Sequence, residues 1–193
     1  MSLEFNRRSF LKYSAAAAVA VAGSSLLVGC GEDEYQKTGK IGSTLKLMGT
    51  FRMYDNPAPT FALDTGSTTN GTFTCKLNIK CTTKKVPLYV AAGCFQLTVI
   101  HDGKKTNYAD SGYVTVDKPN FKLAEKDDAE DFTITVKGNT SNPLNIVAGD
   151  KVEFMYWPRI QASSGNSGYT RAFCTWKMAA KANPNDSSKI ILE

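Results

Sequence analysis

The sequence predicts an all-β protein, an antiparallel β-sandwich of about seven to nine strands that follows an N-terminal signal peptide. Three observations predict this fold class. Short stretches alternate apolar and polar residues, turn signals rich in Gly, Pro, Asn and Asp separate these stretches, and no long helical pattern rich in Leu and Glu occurs. The 193 residues are 42% hydrophobic and 21% charged, which fits one globular domain with a short appendage.

The alternation places the strands one by one. The clearest strand is residues 72–82, because every second residue from Phe73 to Cys81 is apolar and the residues between them are polar. Asp102 and Gly103 are a strong signal for a two-residue hairpin turn between two further strands. The predicted strands are residues 45–53, 72–82, 86–91, 94–101, 104–108, 113–116, 132–136, 151–157 and 172–178.

The first residues carry an export signal and do not belong to the fold. A pair of arginines and a short Phe-Leu-Lys stretch precede an Ala-rich apolar run at residues 14–22. This order resembles a twin-arginine translocation (Tat) signal, although Asn6 stands where that family more often has Ser or Thr. The resemblance implies export by the Tat translocase. The matching residues are Arg7, Arg8, Phe10, Leu11 and Lys12.

A lipidation signal follows the apolar run. Residues 27–30 read Leu-Val-Gly-Cys and resemble the lipobox of bacterial lipoproteins. The resemblance implies cleavage before Cys30 and a diacylglycerol on its thiol, which anchors a protein stably through two acyl chains. We therefore expect a signal peptide at 1–29, a lipidated flexible tether at 30–43 and the sandwich domain at 44–193. The expected location is the extracytoplasmic face of the cell membrane, or an outer membrane on its periplasmic side.

The segment 145–154 refines the expected fold. It contains Gly149 and Asp150 in a turn before an alternating strand, and it resembles the late strands of immunoglobulin-like envelope lipoprotein domains. This resemblance implies an immunoglobulin-like sandwich and carries no catalytic activity with it.

The charge of the mature chain argues against nucleic acid as a partner. Removal of Glu4, Arg7, Arg8 and Lys12 with the signal peptide lowers the net charge from +5 to +3. The remaining basic residues are scattered through the alternating segments instead of forming one stripe, so the electrostatic footprint of a nucleic-acid-binding protein is missing from the sequence.

Four cysteines remain after Cys30 and are candidate disulfide cysteines: Cys75, Cys81, Cys94 and Cys174. Cys75 and Cys81 are on one face of the same predicted strand, about 20 Å apart, which is too far for them to pair with each other. One disulfide, two disulfides and four buried thiols all stay open. The spacings contain no close Cys pair of the kind that begins most metal sites, so we expect no metal and no cofactor.

No catalytic constellation is apparent, and we expect a protein that is not an enzyme. His101 is the one histidine of the chain, which excludes every site that needs two imidazoles. It stands beside Asp102 at the predicted hairpin turn, and the sequence shows neither a nucleophile in a recognisable context nor a further carboxylate to orient it. A histidine at a surface turn is the expected outcome.

The best candidate for a binding surface is the long polar loop at residues 161–169 with its aromatic and basic flanks. The candidate ligand-facing residues are Trp157, Arg159, Tyr169 and Arg171. The alternative is that the rings near this loop fill the core between the sheets.

The expected function is that of a lipid-anchored, non-catalytic binding module that recognises a protein or glycan of the cell envelope. Two alternatives stay open: a secreted cofactor-bearing or redox protein, and a structural subunit of an envelope complex.

Overall fold

The computed structural model describes residues 35–82, 87–161, 167–169 and 172–193. The export residues Arg7, Arg8, Phe10, Leu11 and Lys12, the lipidation residue Cys30 and the candidate ligand residue Arg171 lie outside the described residues.

The described residues form strands, one short 3₁₀ turn at Ala92–Cys94 and no α-helix. No described segment is therefore a helix that could cross a membrane. The strands are β1 (Gln36–Gly39), β2 (Thr44–Lys46), β3 (Gly49–Met53), β4 (Thr60–Leu63), β5 (Gly71–Cys81), β6 (Leu88–Val90), β7 (Phe95–His101), β8 (Lys104–Ala109), β9 (Val114–Val116), β10 (Phe121–Leu123), β11 (Ala129–Lys137), β12 (Lys151–Tyr156), β13 (Arg159–Gln161), β14 (Ser167–Tyr169), β15 (Phe173–Asn183) and β16 (Asp186–Leu192).

The main sheet folds into two layers that pack face to face, which confirms the predicted all-β sandwich. In the first layer, β5 pairs with β11 on one edge and with β3 and β4 on the other. In the second layer, the strand order is β8-β7-β12-β15, and β1 pairs in parallel with the beginning of β15. The end of β15 and strand β16 lead back to β4 and join the layers. The immunoglobulin-like assignment stays a prediction.

Aromatic rings fill the space between the two layers. The predicted apolar face of β5 is buried along its whole length. Phe73 of β5 stacks on Phe154 of β12 with ring centroids 5.7 Å apart, and Phe51 of β3 meets the edge of Tyr156 at 4.9 Å. Such ring pairs contribute packing energy beyond the area they bury. Burial of one face explains the period-two pattern that predicted β5.

A second sheet of four strands, in the order β10-β6-β13-β14, sits at one end of the sandwich. The chain enters and leaves this small sheet at the end where β7 and β15 begin and where β12 stops. Strand β1 begins at the same end, because Gln36 is paired with Phe173, the first residue of β15. The chain therefore emerges from the sandwich beside the small sheet.

The predicted strand 45–53 is two strands in the structure. Strands β2 and β3 pair antiparallel as a hairpin, with Leu45 opposite Phe51. Gly49 begins β3 where the backbone passes closely over β5, since a Cβ at this position would lie 2.5 Å from the Lys80 carbonyl oxygen. Met48, which is out of phase with the apolar face in the sequence, belongs to the turn between the strands.

Several strands were not predicted. Segments of three or four residues contain too little alternation to be recognised, and this applies to β4, β10, β13 and β14. Strand β16 was not predicted either, and β15 continues to Asn183, beyond the predicted end at 178. Strand β1 lies within residues 30–43, where a flexible tether was expected.

Gly138 provides a test of the packing between β11 and the loop that follows it. A Cβ at Gly138 would lie 2.0 Å from the Leu144 amide nitrogen and 2.3 Å from Asn70 Oδ1. Those two atoms are themselves hydrogen-bonded, because the Leu144 amide donates to Asn70 Oδ1 at 2.9 Å. We expect Gly138→Ala to lower the free energy of unfolding by roughly 2–3 kcal/mol, measured by urea unfolding.

Gly112→Ala is the matched control, since no heavy atom lies within 4 Å of a Cβ placed there. Equal stability of the two variants would contradict this arrangement of the Asn70 loop.

Candidate functional site

The small sheet carries one row of residues across all four strands. The pairing register places Lys122 of β10 opposite Tyr89 of β6, Tyr89 opposite Arg159 of β13, and Arg159 opposite Tyr169 of β14. Directly opposed residues of neighbouring strands belong to the same face of a sheet. We call these four positions the outer row. A cation and an aromatic residue alternate along it.

The outer row lies on the face of the small sheet that points away from the core. Leu88 and Val90, on either side of Tyr89, are fully buried, and Leu123 beside Lys122 is buried as well. Lys122 is exposed, while Tyr89 and Arg159 are partly exposed. The Arg159 guanidinium lies 5.8 Å from the centre of the Tyr89 ring, a cation–π contact that sets the two side chains next to each other.

The charged residues in the strands of the small sheet are all positive. Its twelve strand residues include Lys122 and Arg159 and no Asp or Glu. Lys122 forms no ion pair with a described residue, whereas cations on the first layer are matched by neighbouring carboxylates. Lys80 lies 2.8 Å from Asp127, and Lys118 lies 2.5 Å from Glu130. The outer row is thus a positively charged surface with aromatic residues between the charges.

The structure brings two of the four predicted ligand residues into the outer row. Arg159 is there with its side chain, and Tyr169 is there by its register position, its side chain lying outside the described part of the chain. Trp157 is buried with 6% of its surface exposed, at the step between β12 and β13. Its backbone amide donates to the Cys94 carbonyl oxygen at 2.6 Å. A ligand-facing role for Trp157 stays a prediction.

Sequence reasoning missed Tyr89 and Lys122. Each is the middle residue of a three-residue strand, and the strands are separated in sequence by tens of residues from Arg159. No local pattern distinguishes them from other surface residues. The one available signal was the alternation Leu88-Tyr89-Val90, which places a single polar ring between two apolar residues.

The other rings near the loop belong to the core. Tyr156 and Trp176 are fully buried, and Trp176 Nε1 donates to the Ser43 carbonyl oxygen at 3.1 Å. The Tyr156 hydroxyl is buried and has no hydrogen-bond partner among the described residues. Burial raises the pKa of Tyr156 well above its ordinary value, and the neighbouring Cys94 and Cys174 raise it further.

All four candidate disulfide cysteines are buried free thiols in the structure. Burial raises the pKa of Cys75 far above the usual range and that of Cys174 to about 12. Since the thiolate is the form that attacks electrophiles or binds metals, these two thiols are kept unreactive. In the part of the chain that the structure describes, no three His, Cys, Asp or Glu side chains form a group that could hold a metal ion.

His101 has a partner that the sequence did not reveal. Its Nδ1 lies 2.6 Å from Oδ1 of Asp150, a carboxylate that is 4% exposed, and its Nε2 lies 3.5 Å from Asp102. The second Asp150 oxygen accepts a hydrogen bond from the Val147 amide at 2.9 Å. The sequence does not show this carboxylate, because 49 residues separate Asp150 from His101. Both ring nitrogens face carboxylates, and the contact with Asp150 fastens the β7–β8 hairpin to the start of β12.

Comparison with known proteins identifies the N-terminal segment. Residues 4–24 match the family model of the TAT (twin-arginine translocation) pathway signal sequence. This match confirms the predicted Tat signal, and the chain is exported across the cytoplasmic membrane by that pathway. A search of curated proteins finds no match.

The His101–Asp150 pair predicts a pH dependence of stability. The hydrogen bond and charge of Asp150, helped by Asp102, raise the pKa of His101 above its ordinary value. The stabilising contribution is therefore complete below about pH 6.5, the ordinary histidine pKa, and is lost as the pH rises through the raised value. We expect the stability difference between the unmodified protein and His101→Gln to be nearly constant from pH 5.5 to about pH 6.5 and then to shrink up to pH 9, measured by urea unfolding at each pH.

A difference that stays constant or grows over this range would show that the pair does not titrate as described. Lys104→Gln, at the other end of the same hairpin turn and paired with His101 across it, is the control that leaves the Asp150 contact in place.

Proposed function

We propose that this protein is a lipid-anchored, extracytoplasmic binding module without catalytic activity, which recognises a protein or glycan of the cell envelope through the outer row. The observation that carries the proposal is the row itself. Lys122, Tyr89 and Arg159 stand side by side on the outward face of a sheet whose strands have no acidic residue. Exposed Tyr and Arg in such an arrangement are typical of recognition surfaces.

The lipid anchor is supported by the sequence at the end of the export signal. The segment Leu-Val-Gly-Cys ends at Cys30, at the end of the apolar run and just before the polar residues 31–34. Each buried methylene group contributes about 0.8 kcal/mol to membrane binding, and the two acyl chains on one residue together bury enough of them for stable anchoring. Export by the Tat pathway delivers the chain to the compartment in which such an anchor would act.

The topology supports a surface that works close to the membrane. The Phe173 amide donates to the Tyr35 carbonyl oxygen at 2.9 Å, which fixes the start of the described chain beside the beginning of β15. The small sheet lies at this end of the sandwich. Five residue steps separate Cys30 from Tyr35 and span at most about 17 Å. An anchor on Cys30 would thus hold the outer row within reach of the bilayer and of polymers near it.

The absence of catalytic activity is supported by the side chains that could have performed chemistry. The Cys75 and Cys174 thiols are buried with raised pKa values, and the His101 ring lies between two carboxylates. Each of these groups has a structural role in the sandwich. The outer row, by contrast, contains groups suited to binding an anion or a ring and no nucleophile.

The lipid anchor predicts where the protein is found after export. We expect the unmodified chain to sediment with membranes and Cys30→Ser to be exported yet recovered in the soluble fraction, because the serine hydroxyl is no substrate for thioether formation. Mass spectrometry of the membrane-bound form should show a diacylglycerol on residue 30. Replacement of Arg7 and Arg8 by Lys is the control that blocks export itself. Recovery of Cys30→Ser with membranes would argue against a lipid anchor.

The outer row predicts which substitution removes binding. We expect peptidoglycan fragments, envelope polysaccharides or envelope proteins to cause a saturable change in Trp fluorescence, since Trp157 is two residues from Arg159. Arg159→Ala should weaken the responding interaction by roughly fivefold or more, the equivalent of about 1 kcal/mol. Lys76→Ala, an exposed cation on the first layer, is the control. If no ligand of either class depends on Arg159, the row is not a recognition surface.

A further inference from the structure

We infer that the outer row binds an acidic polysaccharide in which charged and neutral sugars alternate, with the sugar chain lying across the strands of the small sheet. This inference rests on the proposed function, because it names the ligand class of the same surface. It follows from the order of the side chains, the distance between strands and the charge of the surrounding sheet.

The order of the row is cation, ring, cation. Lys122, Tyr89 and Arg159 occupy three neighbouring strands, and the position of Tyr169 continues the alternation on the fourth. Neighbouring strands are about 4.8 Å apart, so the backbones that carry the two cations are about 10 Å apart. One strand spacing is similar to the length of one sugar unit in an extended polysaccharide. The two cations therefore meet every second sugar.

The chemistry of each position suits one kind of sugar. The guanidinium of Arg159 and the ammonium of Lys122 make charge-assisted hydrogen bonds to carboxylates, and Arg is able to do so through two parallel bonds. The Tyr89 ring offers a flat apolar surface with a hydroxyl at its edge, which fits the apolar face and the hydroxyl groups of a neutral sugar. A polymer that alternates acidic and neutral units presents these groups in the same order.

The surrounding sheet favours a polyanion over a mixed protein surface. None of the twelve strand residues is acidic, so no carboxylate in these strands repels a polyanionic ligand. A flat anionic bilayer is a poorer match, because Glu32, Asp33 and Glu34 come between Cys30 and the first described residue. Three carboxylates at the anchor oppose close docking of this end on anionic headgroups.

The test compares polymers that differ in one property at a time. The probe is the alternating glucuronate–N-acetylglucosamine polysaccharide, titrated by calorimetry into the purified, exported protein. Its carboxyl-reduced form removes the charge and keeps the sugar chain. Polyglutamate keeps the charge without sugar rings, and vesicles with phosphatidylglycerol test a lipid surface. We expect the acidic polysaccharide to bind at least about tenfold more tightly than each of the others, and salt to weaken it.

Matched variants locate the binding site. Lys122→Gln and Arg159→Gln should each weaken binding of the acidic polysaccharide by roughly fivefold. Lys76→Gln and Lys177→Gln, exposed cations on the two layers of the main sheet, should leave it unchanged. Because Lys122 is an exposed surface residue, its substitution is expected to preserve the fold, which the unfolding midpoint of each variant verifies.

The outcomes distinguish a failure of this inference from a failure of the proposed function. Equal binding of the carboxyl-reduced form, or equal binding of polyglutamate or vesicles, would overturn the acidic polysaccharide as ligand and leave the outer row as a recognition surface. If Lys76→Gln and Lys177→Gln weakened binding of the acidic polysaccharide as much as the outer-row variants do, the location of the binding site on the small sheet would be overturned. Binding of another glycan or a protein that depends on Arg159, without binding of the acidic polysaccharide, would support the proposed function and overturn this inference alone.

Discussion

The packing of aromatic rings between the two layers determines where every other part of the structure lies. Phe154 stacks on both Phe73 and Phe95, and Tyr156 stacks on Phe95 while meeting the edge of Phe51. These contacts fix the register of β12, because a slip by one residue would turn its rings to the outer face. With that register fixed, the chain leaves the core at Trp157, and β13 begins where it can pair with β6. The position of the outer row is therefore a consequence of the core.

The small sheet differs from the main sheet because its strands contain cations and no carboxylates. On the first layer, outward carboxylates and cations lie close together, and Asp131 additionally accepts hydrogen bonds from Tyr54 at 2.9 Å and Asn78 at 2.7 Å. These charged and polar side chains pair with one another, so few of their hydrogen-bonding groups are available to a ligand. On the small sheet, Lys122 and Arg159 have no carboxylate in their own or neighbouring strands. Lys122 is exposed and forms no ion pair with a described residue, so its charge is available to a partner, which is the physical basis of the proposed site.

The sequence was sufficient for the elements that bury one continuous face and insufficient for those that do not. Strand β5 was predicted almost to its ends because eleven residues alternate without interruption. The export signal was equally clear from Arg7 and Arg8. Arg159 and Tyr169 were found from the composition of the loop between them, but Tyr89 joins them only through pairing between distant segments. Asp150 was missed for the same reason, since it is 49 residues from His101. Contacts of this kind depend on topology, which alternation alone does not determine.

Export by the Tat pathway gives the buried thiols a physical explanation. That route usually carries proteins that have folded in the reducing cytoplasm, and the four described cysteines are unpaired and buried in the core. Cys75 and Cys174 are enclosed there, with pKa values raised by burial. A thiol that is neither exposed nor ionised exchanges slowly with external disulfides. The described core of the sandwich is thus held by packing between its two layers and contains no disulfide. The same rigid core then supports the small sheet, whose short strands could not hold the outer row in place alone.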